Sequence, residues 1–255
     1  YNVLCAIKDG ALIFSDQTGA PYRLNLQDGT VFWKKAPSTE PLQAGTSTGG
    51  AIIGTNNVVY VTSNEKTPKG NRGRVTAFRF EDGAMLWRQD MEYEANNAAA
   101  FGRLSEGGPL ALVVGVGENP DFPDPMLQLV GVKQGLKEKK ARVVALDAAT
   151  GSRIWSHELP RWHGWAAGDT VLPTHICLPD SFGNPAIGGD GTAYVGFESG
   201  HLFAIRDKDG NGQIEDSEAS TFNFENAFQG SPGIAPGMLV ATPCNGMHVW
   251  LTGSA

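Results

Sequence analysis

The sequence predicts an all-β fold, a β-propeller of four-stranded antiparallel blades, on two observations. One is a recurring strand–turn–strand unit that ends in tryptophan. Residues 23–33 read RLNLQDGTVFW, residues 77–87 read AFRFEDGAMLW and residues 145–155 read ALDAATGSRIW. In each copy an alternating strand meets a glycine-containing turn, and a Trp follows four residues after the glycine. Trp33, Trp87 and Trp155 stand 54 and 68 residues apart, the length of one propeller blade plus variable loops. The other observation is composition. With 33 Gly and 15 Pro in 255 residues, the chain suits many short strands joined by tight turns. A hydrophobic fraction of 41% is enough for a large core.

A further hairpin precedes each tryptophan unit. It is read at NVLCAIKDGALIFSDQTGAPYRLNL, GGAIIGTNNVVYVTSN, AAFGRLSEGGPLALVVGVG, NPAIGGDGTAYVGFESGHLFAI and SPGIAPGMLVATPCNGMHVWL. Together the two hairpins give four strands, A to D, running outward from an axis. Such a blade has two apolar faces and buries them only by stacking on its neighbours. The spacing places blades at about 3–35, 50–91, 97–160 and 184–226. A partial blade without strand D follows at 231–255. This is one propeller domain of about four blades plus a partial one, or part of a seven- or eight-bladed whole. The chain opens on Tyr1, as expected of a processed or longer parent chain.

Residues 207–218, DKDGNGQIEDSE, have the ligand spacing of an EF-hand calcium loop. Asp207, Asp209 and Asn211 fill positions 1, 3 and 5, and Gly212 permits the sharp turn at position 6. Gln213 offers its carbonyl, Glu215 binds directly or through water, and Glu218 can bind both oxygens. Ca²⁺ takes about six to eight oxygens, and this set supplies them. The segment before the loop, HLFAIR, alternates like a strand, so the helix pair of a calcium sensor is missing. The ion is expected to brace the C–D turn of the fourth blade. Counting from Ala204, Ile214 falls where the blade's tryptophan would stand and is expected to act as the wedge.

The unit at 145–155 is similar to the hallmark of the quinoprotein-type propeller family, the PQQ-like repeats. Ala145, Asp147, Thr150, Gly151 and Trp155 match its motif A-x-D-x-x-T-G-x-x-x-W in full. Ala77, Gly83 and Trp87, and Gly29 and Trp33, match in part. The resemblance implies a propeller whose indoles pack between blades. It implies an activity only loosely. The family holds quinone-dependent alcohol dehydrogenases, polyvinyl-alcohol-dehydrogenase-like proteins and a non-catalytic scaffold of bacterial outer-membrane assembly. The dehydrogenases carry an adjacent Cys-Cys pair near the quinone, and this sequence has none. A bound PQQ and a catalytic residue are therefore not expected.

Strand order puts the A–B and C–D turns on one face of the disk and the B–C turns and D–A links on the other. The insertions 64–73, 118–140 and 160–183 all belong to the second face, opposite the calcium loop. Because function sits on loops carried by a rigid scaffold, that face is expected to bind a partner. It carries Trp162, His163, Trp165 and His175, with Asp169 and Asp180 nearby. The histidines read as loop residues rather than metal ligands. Cys177 and Cys244 fall on this face in neighbouring blades, so a disulfide between them is geometrically allowed, while Cys5 is expected as a buried thiol.

A net charge of −7 argues against nucleic acid and anionic membranes as partners. No apolar run reaches the roughly 20 residues of a membrane span. Motifs of other catalytic classes, such as the P-loop, G-x-S-x-G and H-E-x-x-H, are missing. The sequence thus reads as a calcium-braced scaffold that binds a protein partner or joins a larger assembly. An exported, luminal or extracellular compartment is expected from the allowed disulfide and the calcium loop. The alternatives are a PQQ-dependent alcohol dehydrogenase-like oxidoreductase and a carbohydrate- or polymer-binding module.

Overall fold

The structure, a computed structural model, describes residues 4–36, 44–68, 70–131, 133–170, 175–177 and 179–251. The first sheet contains β1 (Ala6–Lys8), β2 (Ala11–Ser15), β3 (Pro21–Asn25) and β4 (Val31–Lys34), paired in chain order. β5 (Ala44–Gly45) follows in the link to the second sheet. That sheet is built from β6 (Ala51–Ile53), β7 (Val58–Thr67), β8 (Gly70–Arg79) and β9 (Met85–Asp90), and β5 also pairs with β7. The third begins with β10 (Ala100–Arg103) and β11 (Leu110–Gly117). A short helix α1 (Pro125–Leu129) and β12 (Glu138–Lys139) lie in the insertion that follows. β13 (Ala141–Asp147) and β14 (Arg153–Glu158) complete the sheet, and β15 (Trp162–His163) stands in the next link. The fourth sheet is β16 (Ala186–Ile187), β17 (Ala193–Gly196), β18 (His201–Ile205) and β19 (Ala219–Asn223). The fifth has three described strands, β20 (Gly233–Ala235), β21 (Met238–Ala241) and β22 (His248–Leu251).

All these sheets are antiparallel meanders, and together they form the β-propeller that the repeats predict. Middle strands such as β11 (LALVVGVG) are buried at nearly every position because a neighbouring sheet covers each face. One apolar cluster fills each seam. Ile13, Val59 and Phe78 lie between sheets one and two, and Tyr60, Leu112 and Val144 between two and three. Val143, Val195 and Phe203 lie between three and four, and Leu202, Phe228 and Ala241 between four and five.

The tryptophans belong to these seams. The Trp33 indole donates to the Phe80 carbonyl at 2.9 Å, and Trp87 donates to the Ala148 carbonyl at 3.1 Å. Both acceptors lie in the C–D turn of the following sheet. The turn glycines have a second duty beyond their positive φ. A Cβ at Gly83 would stand 2.8 Å from Trp33 Cδ2, and one at Gly151 would stand 2.6 Å from Trp87 Cε3. Each indole lies on a surface that only glycine leaves flat.

Two sequence expectations about the first two sheets need correction. The segment 64–73 is not a loop. β7 and β8 pair continuously from Val58↔Arg79 to Thr67↔Gly70, and buried Arg74 clamps the hairpin to Glu65 (3.0 Å) and Asp90 (2.7 Å). Alternation there was masked by polar residues that pair with each other instead of facing solvent. Cys5 precedes β1 and is exposed rather than buried.

Candidate functional site

The acidic loop hangs from the end of β18 and leads into β19 through a single 3-10 turn at Asp216–Glu218. Its carboxylates organise its own backbone. Asp207 accepts from the N–H groups of Gly210 (2.8 Å), Asn211 (3.2 Å) and Gly212 (3.0 Å). Asp209 accepts from the Asn211 N–H at 3.0 Å, and the Asn211 amide donates to Asp209 and Glu215. The Gln213 N–H donates to Asn211 Oδ1 at 2.7 Å. Glu218 folds back, accepting from the Lys208 N–H at 2.5 Å and the Glu215 N–H at 3.2 Å. Hydrogen bonding with Glu215, then with Lys208, holds its carboxyl down to about 2, so it is ionised at neutral pH.

Asp207, Asp209 and Glu218 each place a carboxylate oxygen within 4.8 Å of the others. Ligands about 2.4 Å from a common ion lie at most about 4.8 Å apart, so the three are close enough to share one calcium-sized ion. Asn211 and Glu215 adjoin this group through the Asn211 amide. Gln213 is exposed beside them. His163 and His175 join no such group among the described residues. His163 faces Glu138, and His175 pairs with Thr170.

The loop packs toward the third sheet, not the fifth. Ile214 lies against the cluster that holds Trp155, and a Cβ on Gly212 would stand 3.0 Å from the Ile154 carbonyl. Asp216 acts electrostatically on His157 of β14. Ile214 therefore does not occupy the wedge position. In the register, Ala145 faces Trp155, and Ala204 faces Ser220. The loop inserts residues between the turn and strand D, which shifts the count. It packs instead against the cluster that holds Trp155. The turn there differs from those under Trp33 and Trp87. Gly210 has no atom within 4 Å of its Cβ position, and buried Trp155 Nε1 has no acceptor among the described residues.

The insertions meet at the other end of β18. β12 pairs with β15, Glu138↔His163 and Lys139↔Trp162, joining segment 118–140 to segment 160–170. Lys139 is buried and bonds Asp121 at 3.0 Å. Cys177 and Cys244 form a disulfide, Cα–Cα 5.7 Å, that ties the link to the fifth sheet. α1 and its flanks expose Phe122 (52%), Met126 (67%), Leu129 (78%) and Val130 (64%).

Three carboxyls on this face are raised by burial. Burial raises Asp169, against the Cys177 N–H that it accepts. Burial also raises Asp180, whose Oδ2 accepts from the Thr48 hydroxyl. Glu198, fully buried at the β17–β18 turn, is pushed up to about 9 by burial, with Lys139 opposing. Neither Glu198 oxygen has a hydrogen-bond partner among the described residues. Nothing in the sequence marked Glu198, since a turn glutamate normally points to water.

A family profile described as outer membrane protein assembly factor BamB matches residues 23–241. The chain belongs to that family. The BamB from Moraxella catarrhalis aligns with 98% of this chain and 70% of its own, at 15% identity and a TM-score of 0.42. The quinohemoprotein alcohol dehydrogenase from Comamonas testosteroni aligns with 86% of this chain at 18% identity and a TM-score of 0.53. A europium-containing methanol dehydrogenase aligns with 86% at 15% identity and a TM-score of 0.52. The chain spans 35% and 41% of those two dehydrogenases. The two dehydrogenase likenesses speak for the propeller fold. No curated protein matches the chain significantly. No helix among the described residues is long and apolar enough to cross a membrane.

Proposed function

We propose that this BamB-family chain is a non-catalytic propeller scaffold that holds a protein partner on its insertion-bearing face, with Ca²⁺ bracing the opposite face. The observation that carries the reading is the joined platform of segments 118–140 and 160–170, with its exposed apolar residues Phe122, Met126, Leu129 and Val130. Exposed apolar residues on loops carried by a rigid scaffold are characteristic of interaction sites. The calcium reading is supported by the fit of Asp207, Asp209 and Glu218 to one ion, with Asn211, Gln213 and Glu215 completing the oxygens. The whole site stands at the far end of β18 from the platform, so the ion stiffens the disk without touching the partner. An exported compartment suits both the disulfide and the calcium loop.

The other reading, a quinone-dependent alcohol oxidoreductase, has fold likeness in its favour. Dye reduction tests the choice. The protein is incubated with PQQ, Ca²⁺ and a primary alcohol, and a redox dye is followed. The scaffold reading expects no turnover above a protein-free control; quinone-dependent turnover overturns it.

A further inference from the structure

A cleft of about 390 Å³ opens between residues 162–169 and the β17–β18 end of the fourth sheet. Its lining includes Trp162, Trp165, Asp169, Ser199, His201 and Asn223. A smaller cleft of about 170 Å³ adjoins it, sharing Trp162, Ser199 and His201 and reaching Arg161. The walls are held from several sides. Trp162 Nε1 donates to the Trp165 carbonyl at 2.8 Å, and the Ala167 N–H donates to the Glu198 carbonyl at 2.8 Å. The Cys177 N–H donates to Asp169 Oδ1 at 2.8 Å, which ties the wall to the disulfide. Pockets of roughly 300–1,000 Å³ with a few polar groups are typical of small-ligand sites.

The polar groups of this wall are incomplete. Asp169 is 9% exposed, and its Oδ2 has no hydrogen-bond partner among the described residues. Trp165 Nε1, a donor only, is likewise buried without one. One side therefore needs a donor and the other an acceptor. A hydroxyl group is both. The indoles of Trp162 and Trp165 offer flat apolar surfaces, and the hydrogen-bonded Ser199 Oγ and His201 Nδ1 (2.9 Å) add a polar edge. The carboxylates of Asp169 and Glu225 in the same lining disfavour an anionic ligand.

We propose that this cleft is a binding site for neutral carbohydrate, with hydroxyl-bearing rings stacked on Trp162 and Trp165 and hydrogen-bonded to Asp169 and the Trp165 indole. The adjoining cleft gives room for a second ring toward Arg161. Both unpartnered atoms are closed to solvent in the structure, so the proposal requires Trp165 to turn as a ring enters. The cleft lies in the 160–170 half of the platform, whereas the apolar residues proposed to meet the protein partner lie on α1 and its flanks in the other half.

The test is an array of neutral glycans probed with the labelled full chain, followed by titration of the strongest oligosaccharide with tryptophan fluorescence as readout. The expected result is saturable binding with a fluorescence change. Trp165→Phe, which removes the donor, and Asp169→Asn, which keeps the shape, are each expected to weaken it at least tenfold. Thermal melts check that both variants fold. Cadaverine serves as the cationic probe. No glycan binding, unchanged binding in both variants, or saturable binding of cadaverine in place of glycan overturns the proposal.

Discussion

Glu198 is a carboxyl that the fold keeps away from water and gives no hydrogen bond among the described residues. Its folded pKa of about 9 lies above the ordinary 4.5, so the unfolded chain releases this proton at lower pH than the folded one. The stability tied to the protonated form is complete below about pH 4.5 and is lost as pH rises toward 9. Glu198→Gln removes that slope. Relative to pH 5, the variant should gain about 2–4 kcal/mol over the parent at pH 8, read from denaturant melts at both pH values. A pH-independent difference contradicts the assignment. At this scale the sequence was legible where residues repeat and silent where they do not. Trp33 and Trp155 announced their burial through the Gly-x-x-x-Trp register. Ile214 misled because counting along the chain cannot see where an inserted loop rejoins the ladder; the cross-strand partner of Ala204 is Ser220.

Among the elements, the acidic loop and the disulfide each add a local constraint. Ca²⁺ at about a hundredfold excess over its dissociation constant should stabilise the chain by about 2.7 kcal/mol, visible as a higher melting temperature that EGTA reverses. Glu218→Gln should abolish the shift because it removes a ligand charge; an unchanged melt of the parent in millimolar Ca²⁺ contradicts the site. Replacing both cysteines, Cys177→Ser with Cys244→Ser, should cost about 2–5 kcal/mol, measured by urea unfolding, since the bridge spans 67 residues. The loop's ligand spacing could be read from sequence because it lies within twelve consecutive residues. The β12–β15 pair could not, because two segments of two residues each, EK and WH, are too short to carry an alternation that would reveal it.

Across the whole molecule, the repeat explains both the legibility of the fold and the poverty of its functional signal. Blade stacking requires glycine turns, indoles and doubly buried strands, and these leave a periodic trace. A partner surface requires only a few exposed side chains on non-repeating insertions. Phe122, Met126 and Leu129 look like ordinary loop residues in sequence, and the structure leaves them exposed on α1 and its flank, in the insertion that β12 joins to β15. The disk separates two duties: the C–D face is bound by hydrogen bonds and carboxylates, and the B–C face is bound by pairing and a disulfide. The most direct test of this division is photocrosslinking in the native host, with a benzophenone amino acid introduced at Met126, at Leu129 and, on the opposite face, at Asp28. A discrete protein adduct is expected from positions 126 and 129 and none from position 28. Adducts from position 28 alone would contradict this division.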